Sequence, residues 1–324
     1  MKKLFCLMIM AVMLSVGALQ AHAAANYPTR AVTMVVPFAP GGIGDVSARI
    51  LAEALQKDFG QPIIVVNRTG AGGITGLNSV LRDKPDGYTI AAGSPGSAFA
   101  ATLFTGAPRY DLDTIAFVAA YLFQDRVFIA GPNTPYKTWQ EFVAFAKANP
   151  GTVSFGSSAS QETMETIRAA AIKDGIDLRF VMYGGGGEAA TDLLGGHVDT
   201  IETGVGAPGF QAARRGQATI LANIGFNEEV PFFENIPRLT DLGYDFASGV
   251  VFGFAFPGKT PEPIRARWEQ AIEKVLKDPE VLEKMENIGI RPRFMGGADY
   301  KEFSKKFVAN MEAMLEFNQK ATKK

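Results

Sequence analysis

The sequence predicts an α/β protein made of two Rossmann-like units that face each other across a cleft. Three observations carry that expectation. Short runs rich in β-branched and aromatic residues alternate with helical patterns, the mark of layered and largely parallel sheets. A second set of the same kind begins near residue 124 and ends near residue 225, so the chain passes out of the first unit and returns. The C-terminal part is helical and amphipathic, and it is expected to pack back onto the first unit. Two units joined by more than one crossing make a hinge, with binding loops at the carboxyl ends of the strands.

The elements follow in order. AVTMVVPF reads as a buried strand, and the helix after it covers GDVSARILAEALQKDFG, with Val46, Ile50 and Ala54 at helical spacing and Gly60 as the stop. IIVVN is the next strand, ITGLNSVLRD a helix and YTIAAG the third strand, after which IAFVAAYLF and RVFIAG read as two further runs. The second set opens with a helix over TWQEFVAFAKANPG, N-capped by Thr138. It continues through TVSFGSS, the helix ETMETIRAAAIKDG, LRFVMY, EAATDLLGG, HVDTIE and ATILANIG. The helical stretches PEPIRARWEQAIEKVLKDPEVLEKMENIG and ADYKEFSKKFVANMEAMLEF close the chain. The expected division is residues 24–124 with 225–324 for one domain and 125–224 for the other.

Residues 1–23 read as a signal peptide. Lys2 and Lys3 precede the apolar LFCLMIMAVMLSVGAL, and Ala21-His22-Ala23 is a small-residue cleavage site. Cleavage there removes the only cysteine, Cys6, together with His22, and takes the formal charge from -1 to -3. An exported chain without disulfides must rely on packing, and 47% hydrophobic residues over about 300 positions can build two cores. No basic run is present, so nucleic acid is not an expected partner.

GFAFPGKT, Gly253 to Thr260, fits the phosphate-loop pattern G-x-x-x-x-G-K-[ST]. Its variable positions are Phe254, Ala255, Phe256 and Pro257, which suit a buried strand end better than a nest of N–H groups. Thr260 followed by Pro261 reads as an N-cap with proline at the first helical position, so the helix starts after Lys259 and Thr260. The motif is expected to be a strand–turn–helix junction, and an exported protein has little access to ATP.

VPFAPGGIGDVSAR, Val35 to Arg49, is the better candidate for anion chemistry. A buried strand runs into Pro40-Gly41-Gly42 and a helix begins at about Gly44. Two readings stand: a plain strand-to-helix turn, or a site where glycines allow close approach and free N–H groups bind a carboxylate. Asp45 lies in the first helical turn, where the dipole favours it, so a ligand carboxylate must sit apart from it or reach it through water. NRTGAGGITG, Asn67 to Gly76, loosely matches a dinucleotide fingerprint but reads better as another glycine-rich turn. GSPGS and FGSSAS each follow a strand and precede a helical pattern, one in each unit.

Catalysis has little to stand on. There is no G-x-S-x-G, and the one histidine left after cleavage, His197, sits between a Gly-Gly stop and a strand. One histidine without cysteine argues against zinc, and no cofactor is expected.

VPFAPGG…D…AR, GQPIIVVNRTGAGG, PDGYTIAAGS, KTWQEFVAFAKANPG…SFGSS, DLLGGHVD, IPRLTDLGY, FGFAFPGKTPEPI and KDPEVLEKMENIGIRP occur in this order over nearly all of the mature chain. On these motifs the sequence resembles the Bug-type extracytoplasmic solute receptors of tripartite tricarboxylate transporters. The resemblance implies a two-lobed periplasmic binding protein fold, type II-like, that closes on a small organic acid and delivers it to a membrane permease. It also implies carboxylate binding by backbone N–H groups near Ala39, Gly41 and Gly42 beside Asp45, with Phe38 as a wall. Ser94, Ser157 and Ser158 are expected to add hydroxyl or N–H groups, and Ser97, Gln161, Tyr183 and Thr203 complete the candidate set. A monomeric, non-catalytic receptor is implied; a sensory binding protein and an enzyme on a small acid are the alternatives.

The sequence departs from the family pattern at several loops. Gly44 stands where a threonine is common, so one hydroxyl is missing. Glu162, Glu188 and Glu202 occupy loops that are usually uncharged. They read either as solvated surface charge or as partners of a ligand amine, in which case the cargo is zwitterionic.

Overall fold

A computed structural model describes residues 27–105, 111–157, 161–226, 230 and 232–322. The expected signal peptide, with Cys6 and His22, and the candidate Ser158 lie outside the described residues.

The first three strands are β1 (Val32–Val36), β2 (Ile63–Asn67) and β3 (Thr89–Gly93), all parallel. Between them lie α1 (Ile43–Phe59) and α2 (Ile74–Leu81), and α3 (Pro95–Thr105) follows. Gly60 closes α1 in the left-handed conformation at φ 65°, which glycine adopts without strain.

The two runs expected around residue 124 are one strand, β4 (Ile115–Ala130), of 16 residues. Gln124-Asp125-Arg126 interrupts its apolar pattern without interrupting its ladder. Residues 115–125 pair antiparallel with β9 (Gly249–Pro257), and Arg126–Ala130 pair with β7 (Thr200–Gly204). β8 (Thr219–Asn223) also pairs with this second half, and β10 (Met295–Gly296) with the first. β5 (Ser154–Ser157) and β6 (Arg179–Met182) complete the order β2-β1-β3-β9-β4-β7-β5-β6.

The remaining helices are α4 (Trp139–Ala148), α5 (Gln161–Asp174), α6 (Gly186–Gly195), α7 (Pro208–Arg214), α8 (Glu262–Val275), α9 (Pro279–Asn287) and α10 (Gly297–Thr322). Thr138 caps α4 as expected, its side chain accepting from Glu141 N–H. α7 has no counterpart in the sequence reading. Both faces of the sheet are covered. Trp268 of α8 is buried with Phe254 and Phe256 on the α1 side, and Tyr300 and Met311 of α10 pack with Phe117 and Val251. In the other half Phe128 and Phe155 meet Trp139 and Phe142, while Val127 and Ile129 meet Leu193 and Phe210. α10 does more than cover the first half: Asn318 Nδ2 donates to Glu165 O of α5 at 3.0 Å.

GFAFPGKT is a strand–turn–helix junction: Gly253 to Pro257 belong to β9 and α8 starts at Glu262. The expected cap is corrected. Pro261 takes the N-cap position, and the buried Thr260 hydroxyl has no hydrogen-bond partner, so it does not cap the helix.

Candidate functional site

Beyond β1 the chain turns through Pro37 to Gly42 and enters α1 at Ile43, one residue earlier than the sequence suggests. Ala39, Gly41 and Gly42 are exposed, and Phe38 is half-buried with its ring edge-on to Phe252 at 5.4 Å. The loop is latched from behind by Asp45, which is only 3% exposed. Asp45 Oδ2 accepts Gly41 N–H at 2.9 Å, and Oδ1 accepts Arg49 Nε at 3.0 Å and Asn67 Nδ2 at 2.8 Å. Asn67 Nδ2 also donates to Phe38 O at 2.9 Å. Burial by itself lifts the Asp45 carboxyl, but Arg49, the Gly41 N–H and Asn67 outweigh it and hold the group below its ordinary range.

The expected donor at Gly41 is therefore taken by Asp45, and Asp45 itself is turned inward. Gly42 N–H makes only a long bond of 3.4 Å to Ala39 O. The N–H groups of Ile43 and Gly44 head α1, where a helix offers no internal acceptor and carries its positive dipole end. The turn thus leaves the amides of Gly42 and Ile43 at the uncapped head of α1 on a braced scaffold, with Gly44 buried behind them. Gly44 fits between rings: a Cβ there would stand 2.6 Å from Phe252 Cε1 and 3.0 Å from Phe38 Cδ2. The hydroxyl that the family pattern suggested is replaced by aromatic packing.

Ser94 and Ser97 come together at the head of α3, Ser94 Oγ donating to Ser97 Oγ at 2.8 Å. In the other half, buried Ser157 at the end of β5 donates to Glu202 Oε1 at 3.2 Å. Glu202 is 0% exposed and forms a close ion pair with Arg126. The head of α5 joins the same region: Ser248 Oγ donates to Glu162 Oε1 at 3.0 Å and shares a 2.9 Å hydrogen bond with Thr163 Oγ1. Burial, chiefly, lifts the Glu162 carboxyl to about 7, with Ser248, Arg126 and the Gly249 N–H pulling against it and Glu202 adding to it.

The other candidates are placed differently. Tyr183 OH donates to Asp192 Oδ2 at 2.9 Å, Gln161 is exposed, and the Thr203 hydroxyl is buried without a partner. Glu188 accepts Gly184 N–H at 3.0 Å and braces its own loop. Of the three unusual carboxylates, Glu202 is not solvated surface charge; Arg126 neutralises it inside the protein. The halves approach where Ile43 Cδ1 lies 3.5 Å from the position of a Cβ on Gly206.

Sequence reasoning passed over Arg126, Asn67 and Arg49. For Arg126 a signal existed, because a charge inside a buried strand needs a buried partner. For Asn67 nothing local pointed to Asp45, 22 residues away.

Residues 47–319 match the family model described as "Tripartite tricarboxylate transporter family receptor". BugT of Bordetella pertussis is 31% identical over 272 residues, covering 82% of each chain. Among solved structures, the periplasmic binding protein BugD is 28% identical with a TM-score of 0.71, over 91% of this chain and 99% of that one. MatC of Rhodopseudomonas palustris, solved with bound malate, is 25% identical with a TM-score of 0.71, over 89% and 99%. The two α/β halves joined through β4 and β9 are thus the two-lobed fold of periplasmic binding proteins, and the chain belongs to the tripartite tricarboxylate transporter receptor family.

Proposed function

We propose that this receptor is exported by its N-terminal signal peptide, works as a non-catalytic monomer, and holds a small organic acid between two lobes for delivery to a tripartite tricarboxylate permease. The lobes are residues 24–124 with 225–324, and 125–224. The change of partners along β4, from β9 up to Asp125 to β7 from Arg126, supports the first boundary, whereas Val230, Leu239 and Tyr244 pack into the second lobe and move the return toward Ser248. One observation carries the binding mode: the Phe38–Gly42 turn is braced by Asp45 while no side chain caps the head of α1. Rigid amides aimed at a carboxylate need no reordering on binding, and lobe closure strengthens them by excluding water. Ser94 and Ser97 belong to one half and Ser157 to the other. Malate in MatC supports a dicarboxylate cargo. A ligand amine is not needed, because Glu202 already has Arg126 and Glu188 has Gly184.

A thermal-shift screen with malate, adipate, citrate, aspartate and glutamine tests this. At least one amine-free acid is expected to raise the melting point by several degrees, as about 2.7 kcal/mol at a hundredfold excess over Kd implies. Stabilisation by glutamine or aspartate alone overturns the proposed cargo class.

A further inference from the structure

A cavity of about 680 Å³ lies beside the β4 crossing, under the turn that follows α9, a size within the ~300–1,000 Å³ of small-molecule sites. Of the α1 head only Ile43 reaches it, and none of the cleft-loop serines lines it. Its lining brings together three arginines, Arg238, Arg291 and Arg293, against a single carboxylate, Asp125, in a chain whose formal charge is -1. Asp125 is 2% exposed, and its Oδ1 accepts Phe226 N–H at 2.7 Å, so it faces the protein more than the cavity. Arg238 is oriented by Asp241, with Nη2 to Oδ1 at 2.7 Å and Nε to Oδ2 at 2.9 Å. Arg291 and Arg293 are exposed and form no ion pair among the described residues.

The walls add a second property. Arg293 lies 5.0 Å from the centre of the Phe123 ring, and Phe226 stands on the lining as well. The turn that carries the arginines is fixed by Arg293 N–H to Tyr121 O and Ile290 N–H to Met285 O, both at 2.9 Å. Guanidinium forks bind carboxylates in bidentate fashion, and ring faces favour a flat apolar body.

We propose that this cavity is a second anion-binding site, flanking the head of α1 and built on arginines that the cleft loops do not use, for a small molecule that carries two or more carboxylates on a flat apolar body. Benzene-1,3,5-tricarboxylate is the probe. Calorimetry on the mature receptor is expected to show one site, weakened at least tenfold in R291E/R293E and in 0.5 M salt. The melting point of that variant should stay close to the wild-type value, since both side chains are exposed and without ion pairs, and Arg293 gives up only its contact with the Phe123 ring. With labelled arginine, the Nε–H resonances of Arg291 and Arg293 should move with the probe. Absence of binding, binding indifferent to the two charge reversals, or movement confined to the amides of Ala39 to Gly42 overturns the proposal. None of these results bears on the thermal-shift screen with malate, adipate and citrate, so this site and the cleft reading fail separately.

Discussion

Gly44 is the residue at which the family pattern and the physical reading part. The threonine expected there is excluded by rings, because Phe252 and Phe38 already occupy the space that a side chain would need. Phe252 is buried and cannot swing away cheaply. Gly44→Thr is therefore expected to destabilise the protein by about 1–3 kcal/mol, measured by chemical denaturation, and to weaken acid binding because Phe38 is displaced. An unchanged midpoint contradicts the packing argument. The sequence showed that position 44 was unusual, but the cause sits on β9, far along the chain. Asp45 repeats the lesson. Its place in the first helical turn was legible, and its bond to the Gly41 N–H is local, whereas its bond to Asn67 comes from the return of β2 beside β1.

At the scale of elements, regular periodicity was readable and interruptions were not. β1, β3 and the long helices appear where apolar spacing puts them. β4 was read as two runs because Gln124, Asp125 and Arg126 look like a loop, yet each has a partner from another strand or turn. The head of α5 meets the start of β9 through Glu162 and Ser248, and this junction carries a pH dependence. Glu162 has its folded-state value raised to about 7, so the native state keeps a proton that the unfolded chain gives up. That contribution is complete below the ordinary glutamate range and is lost as pH rises through about 7. Glu162→Gln should then unfold with a flatter profile between pH 5 and 8, and be more stable than wild type at pH 8 by about 1–3 kcal/mol. Parallel profiles for the two proteins contradict the assignment.

Over the whole molecule, the fold provides two jaws that share one sheet. β4 passes between the halves, α10 spans from α3 to α5, and Ile43 approaches Gly206 across the gap. This layout followed from alternating strands and helices plus one excursion and return, which is why the architecture was legible from letters alone. The site was legible as loops but not as partners: Ser157 and Glu202 are 45 residues apart in sequence and 3.2 Å apart in space. In the proposed binding mode, main-chain amides at the head of α1 grip an acid between the jaws. Backbone amide resonances, followed while the most stabilising acid of the thermal screen is titrated in, test it most directly. Large downfield shifts and slowed exchange at Ala39, Gly42, Ile43 and Gly44 are the expected result. Saturation of the receptor with these four amides unmoved contradicts it.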